Sequence, residues 1–246
     1  MSYSLRFYEE LNDFLPPERR KRSFEIPYGE PRSVKDLIEA LGVPHTEVDL
    51  ILVNGESVDF SCKLCDGDRI SVYPVFEGMD ISPVCRLREK PLRHPRFVAD
   101  VHLGKLVRYL RLLGFDCLYD SAWNDPELAD ISVRDRRVLL TRDRLLLMRS
   151  VITHGVYIHS DRPLDQLIQV IRRLDLKSMI RPLARCMTCN GCLIRVEKAS
   201  VENDVPTRTF RYVDDYRRCV NCQKVYWKGT HWERLQNIIE MAMTDT

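Results

Sequence analysis

The sequence predicts an α/β protein. Its central part carries a parallel sheet between helices, after a small α+β domain and before a cysteine-rich segment. Three observations predict it. Between residues 96 and 174 short apolar strands alternate with amphipathic helices. Such alternation buries a parallel sheet under helices on both faces. Residues 1–80 order two strands, a helix and further strands. Beyond residue 181 come two C-x2-C pairs and strand-like runs. The expected domains are residues 1–80, a linker at 81–95, residues 96–180, and residues 181–246 with a closing helix.

In the first domain Leu5 and Phe7, then Phe24 and Ile26, alternate with polar residues as strands do. Ser33 heads a helix bearing Val34, Leu37, Ile38 and Leu41, which Gly42 closes. Residues 50–53 form an apolar strand entering an Asn54-Gly55 turn. Asp66-Gly67-Asp68 turns the chain into a last strand at 69–73. This β-grasp order resembles the ubiquitin-like sulfur carriers, which act through a free terminal Gly-Gly. Here Phe76-Glu77-Gly78-Met79 stands at that place and the chain continues. An interaction module with a protein partner is therefore expected over a sulfur carrier.

In the central domain residues 96–100 form a strand that runs into Asp100. Leu103, Leu106, Val107, Leu110 and Leu113 line one face of the next helix, and Gly114 caps it. Residues 115–120 read as a strand ending in Asp120. Asp125-Pro126-Glu127 opens a helix to about Val133. Residues 138–141 form a strand leading to Asp143, and a strand at 156–159 and a helix at 164–174 complete the pattern. Active sites of parallel sheets lie at the carboxyl ends of their strands. Carboxylates delivered there suit a hard divalent cation. Asp is also a common helix cap, and each acid has that second reading.

Cys186-Met-Thr-Cys189 and Cys219-Val-Asn-Cys222 are separated by 29 residues. Two such knuckles supply four thiolates, the cage of a structural zinc site. The spacer exceeds the usual ~15–20 residues. It holds strand-like runs at 193–196 and 209–213, as a zinc ribbon would. Cys192 forms a further C-x2-C with Cys189 and is the alternative ligand. Cys62 and Cys65 make a single pair, read as two small residues beside a turn.

Residues 1–80 carry a net charge of −7 and residues 81–246 a net +9. A basic half suits a polyanion such as nucleic acid. No run approaches the ~18 apolar residues of a membrane span. The start lacks a basic segment followed by an apolar core, and the cysteines read as thiols. A cytoplasmic protein with no membrane association is expected.

Three stretches together resemble the Mut-seven C-terminal RNase family. They are the run from Phe97 to Asp116, the run from Arg137 to Arg144, and the two knuckles with Tyr226-Trp-Lys-Gly-Thr-His-Trp232. The resemblance implies a PIN-like nuclease fold with a fused zinc ribbon, often behind a ubiquitin-like domain. It implies a metal-dependent ribonuclease acting on RNA, with Zn²⁺ as structural metal and Mg²⁺ or Mn²⁺ as catalytic metal. Carried over by position, Asp100, Asp143 and Asp125 match the family's metal-binding acids, with Asp120 a weaker fourth. Asp116 reads as a turn residue. Lys105, Arg108 and Arg111 form a basic stripe on the first helix. Of these Lys105 and Arg108, with Arg142 and Arg144, are the expected phosphate contacts. Trp227, His231 and Trp232 read as packing at the end of the ribbon. Two other classes stay open: a non-catalytic RNA-binding or regulatory protein on the same scaffold, and a sulfur-transfer partner. Clustered carboxylates weigh against the former and the missing Gly-Gly against the latter.

Overall fold

The computed structural model describes residues 1–74, 86–87, 94–229 and 232–244. Most of the expected linker, the run from Phe76 to Met79, Cys85 and His231 lie outside the described residues. In chain order the elements are β1 (Ser2–Phe7), β2 (Phe24–Pro27), α1 (Val34–Ala40), β3 (Val48–Val53), β4 (Glu56–Ser57) and β5 (Arg69–Pro74). Then follow β6 (Phe97–Ala99), α2 (Gly104–Leu112), β7 (Cys117–Leu118), α3 (Asp125–Arg134), β8 (Val138–Thr141), α4 (Arg144–Leu147), β9 (Gly155–Tyr157) and α5 (Pro163–Arg173). The last are β10 (Leu193–Val196), α6 (Thr207–Tyr212), β11 (Tyr216–Cys219), β12 (Val225–Trp227) and α7 (Trp232–Met243). No helix among the described residues is long and apolar enough to cross a membrane. The chain divides into two units, one of Met1–Pro95 with Asp125–Tyr157, the other of Arg96–Asn124 with Ile158–Thr246.

The first unit begins with a five-stranded sheet in the order β2-β1-β5-β3-β4. β1 and β5 are parallel at its centre and the remaining pairs antiparallel, which is the β-grasp arrangement. Alternation drives it: Tyr3, Leu5 and Phe7 face the core from β1, and Ile70 and Val72 from β5. Helix α1 adds Val34, Leu37 and Ile38 to the same core. Its start is a capping box, with Asp36 N donating to Ser33 Oγ at 3.1 Å and Ser33 N donating to Asp36 Oδ2 at 3.2 Å. The pair satisfies two otherwise unbonded amides. Asn54 and Gly55 turn between β3 and β4 with φ of 54° and 91°, the positive values this hairpin type requires.

The same unit holds α3, β8, α4 and β9. β8 and β9 are parallel, with Thr141 opposite Tyr157. All four β8 side chains are buried, as in a strand covered on both faces. This part meets the β-grasp domain through the 3-10 turn His45–Glu47. Glu47 is 1% exposed, and its Oε1 accepts Tyr157 N at 2.6 Å. His45 bonds Glu39 Oε1 at 2.6 Å and Ile152 O at 2.8 Å.

In the second unit β6 and β7 are parallel, with Phe97 opposite Cys117, and all three residues of β6 are buried. Helix α2 buries Leu106, Val107 and Leu110. Gly114 follows with φ 96°, and an added Cβ there would collide with the Arg181 backbone. The ribbon is the antiparallel sheet β10-β11-β12. Of residues 209–213, expected as a strand, 209–212 belong instead to α6 and Val213 is its extended C-cap. Pro206, with φ −57°, heads that helix. Phe210 packs there against Val201, Val205 and Tyr216, so tertiary packing overrides the strand preference of Thr, Phe, Tyr and Val.

Candidate functional site

The four cysteines Cys186, Cys189, Cys219 and Cys222 come together, with all four Sγ atoms within 4.8 Å of one another. Cys186 Sγ lies 3.6 Å from Cys222 Sγ, and Cys189 Sγ lies 3.4 Å from Cys219 Sγ. A tetrahedral zinc with Zn–S of ~2.3 Å requires sulfurs about 3.8 Å apart, so the cage is close to size. The two knuckles repeat one turn. Asn190 N bonds Cys186 O at 3.0 Å, Gln223 N bonds Cys219 O at 3.1 Å, and both residues have positive φ, 67° and 61°. At Gly191 a Cβ would stand 2.8 Å from Cys219 Sγ, so only glycine lets the backbone pass the cage. Cys192 is exposed and outside the cluster. Its carbonyl accepts Val220 N at 3.0 Å, which ties one knuckle to the other.

Four clustered sulfurs cannot all be thiolates without a cation. Burial raises the Cys186 thiol, but hydrogen bonds from the Tyr226 hydroxyl and from the Cys189 and Thr188 amides outweigh it and bring it down to about 6. Cys222 gains a favourable bond from the Lys224 amide, yet burial and the neighbouring thiols push it up to about 12. This donor set, all sulfur and closed on four sides, fits a structural zinc.

The knuckle is joined to the α/β region of its own unit. Arg111 is 5% exposed. Its Nε donates to Cys117 O at 2.9 Å, and its Nη1 to Thr188 O at 2.8 Å and Met187 O at 3.4 Å. The expected basic stripe is therefore corrected. Lys105 and Arg108 are exposed, and Arg111 is buried. Each step of three residues turns a helix by ~300°, so two steps carry Arg111 about 120° away from Lys105. Asp116 is more than a turn residue. Its Oδ1 accepts Asn190 Nδ2 at 2.8 Å and its Oδ2 accepts Arg185 Nη2 at 3.5 Å. No sequence pattern marks these partners, which stand some seventy residues apart in the chain. Trp227 packs beside Tyr216 with ring centroids 6.4 Å apart.

The acids lie near element ends, with Asp120 two residues beyond β7, which is shorter than the strand expected at 115–120. Asp100 is half-buried directly after β6 and opens a 3-10 turn without capping it through its side chain. Asp120 is exposed and its Oδ1 accepts Ala122 N at 3.0 Å, a turn bond. Asp125 is exposed and is the first residue of α3. Asp143, half-buried after β8, caps α4, with Oδ1 accepting Leu145 N at 2.7 Å and Leu146 N at 3.3 Å. Thr141 Oγ1 accepts Asp143 N at 3.0 Å and fixes the corner. Asp100 and Asp120 belong to the second unit, Asp125 and Asp143 to the first. Among the described residues the group of three or more possible metal ligands is the four-cysteine one, and the four acids do not belong to it.

Of the expected phosphate contacts, Lys105, Arg108 and Arg142 are exposed. Arg144 is half-buried: its guanidinium carbon sits 4.9 Å from the Phe14 ring and 5.3 Å from the Tyr157 ring, and Nη1 bonds Phe14 O at 3.4 Å. A guanidinium is also attracted to aromatic faces, and sequence spacing did not reveal the rings.

Among solved structures the chain is similar to SAMP1 from Haloferax volcanii, at 17% identity over 32% of this chain and 100% of that one, with a TM-score of 0.26. No curated protein matches it. Residues 1–80 match the family described as Mut7-C ubiquitin. Residues 95–239 match the Mut7-C RNAse domain, so the chain belongs to the Mut7-C RNase family.

Proposed function

We propose that the protein is a metal-dependent ribonuclease of PIN-like fold, with RNA as its substrate. The observation that carries this reading is the pair of half-buried aspartates, Asp100 directly after buried strand β6 and Asp143 two residues after buried strand β8, in a chain of an RNase family. Asp100 and Asp143 would hold Mg²⁺ or Mn²⁺, with Asp125 and Asp120 completing the set. Bound there, such a cation supplies positive charge beside the attacked phosphate and a water acidified for attack. Lys105, Arg108 and Arg142 hold the RNA backbone by charge. The negative N-terminal domain adds nothing to RNA binding and serves a protein partner. The ribbon zinc is structural.

The capping bonds of Asp143 favour a second reading, in which the acids only shape the corners and the protein binds RNA without cutting it. Asp143→Asn separates the two. Asn caps about as well as Asp but lacks the charge a hard cation needs. Incubation with mixed RNA and Mn²⁺ is expected to show cleavage by the wild type, lost in Asp143→Asn while RNA binding persists. Full activity in the variant removes the catalytic reading.

A further inference from the structure

The four-thiolate cage, loaded with zinc, is a doubly negative centre, with Cys186 and Cys219 buried and Cys222 exposed. A counter-charge on its buried side offsets the cost of taking that charge out of water. Arg111 is the buried cation in position, its guanidinium bonded to two carbonyls, Met187 O and Thr188 O, that lie between the first two ligands. Its third bond runs the other way, to Cys117 O in β7. Asn190, directly after the second ligand, grips the same stretch: Oδ1 accepts Cys117 N at 3.1 Å and Nδ2 reaches the Asp116 carboxylate at 2.8 Å. Across that stretch lies β6, whose Phe97 N donates to Asp116 O at 2.8 Å. β6 ends at Ala99, and the next residue is Asp100.

We propose that Arg111 and Asn190 are positioning residues that couple the metal centre to β6, so that zinc loading fixes the strand presenting Asp100. The ribbon is then a brace for one corner of the candidate acidic site. That last step rests on the nuclease reading. The coupling of metal to strand does not.

The test uses the zinc-loaded full chain and no RNA. In Arg111→Met, zinc transfer to a chromogenic chelator is expected to accelerate by about 10–100-fold, the usual cost of losing an outer-shell partner. Amide exchange at Phe97 and Cys117 is expected to rise with it, and to rise equally when wild-type protein is stripped of zinc. Arg111→Lys keeps the charge without the fork and falls between the two. Asn190→Gly tolerates the positive φ of 67° and serves as the second probe, also if Arg111→Met does not fold. Leu167→Ala, in the buried face of α5, lowers stability away from the cage and is expected to leave zinc release unchanged. Wild-type release in both probes, exchange at Phe97 indifferent to zinc, or equal acceleration by Leu167→Ala overturns the proposal. Inactivity toward RNA would count against the nuclease reading and leave this one standing.

Discussion

The corners at Asp100 and Asp143 begin alike and are secured differently. Each follows a short, fully buried strand. At Asp143 the bracing is local: the side chain caps α4, Thr141 holds its amide, and the next residue, Arg144, is gripped by Phe14 of the β-grasp domain. At Asp100 the side chain caps nothing in the turn it opens. Its strand is instead backed by Asp116 and Cys117, which residues of the zinc knuckle clasp. One corner depends on neighbours in sequence and on the N-terminal domain, the other on a cysteine knuckle that reaches Asp116 from some seventy residues along the chain. The two accessory modules thus serve different strands, each within its own unit.

The sharpest way to break this contrast is to remove the metal. Cys219→Ser, or chelation, is expected to cost the ribbon its fold, since structural zinc contributes on the order of 10 kcal/mol of folding free energy. Hydrogen exchange should then rise at Phe97 and Cys117 but not at Tyr157. A uniform rise across both units would erase the distinction between the corners.

Next in size, on the proposed ribonuclease reading, is the loss of charge at the two aspartates. Asp100→Asn and Asp143→Asn are each expected to lower Mn²⁺-dependent RNA cleavage by about 10³-fold, the several kcal/mol that metal-held charge supplies. Single-turnover rates measure this. If one variant alone loses activity, the two corners are unequal in function as well as in bracing.

The grip of the β-grasp domain comes third. Glu47→Ala removes the carboxylate that accepts Tyr157 N in a part-buried bond, a cost of about 1–3 kcal/mol. Thermal melting should fall and protection at Tyr157 should drop, while zinc content stays unchanged. Zinc loss in this variant would tie the two corners together.

The smallest effect is the cap. Asp143→Ala is expected to lose about 1 kcal/mol of stability through α4, and Asp143→Asn almost none. Equal melting of both variants would show that the cap adds no stability and that the carboxylate is held for its charge.

The sequence made much of this legible. Alternation in β1, the Ser33 capping signal, the Asn54-Gly55 turn and the face of α2 all rest on contacts a few residues apart, which local periodicity encodes. The paired knuckles are legible for the same reason, because ligand spacing within a tight turn is a local property. The misreadings share the opposite cause. Residues 209–213 looked like a strand until Phe210 met Val201 and Tyr216. Arg111, Asp116 and Arg144 read as surface or turn residues, yet each is fixed by a partner far along the chain.

By itself, then, the sequence determined most of the elements and their order, the four cysteines that cluster and the aspartates that follow β6 and β8, since each follows from short-range spacing. Only the tertiary structure decided which cations face solvent and which serve inside. A guanidinium finds its partner by proximity in space, and the carbonyls, rings and carboxylates around Arg111 and Arg144 are assembled only when distant segments pack.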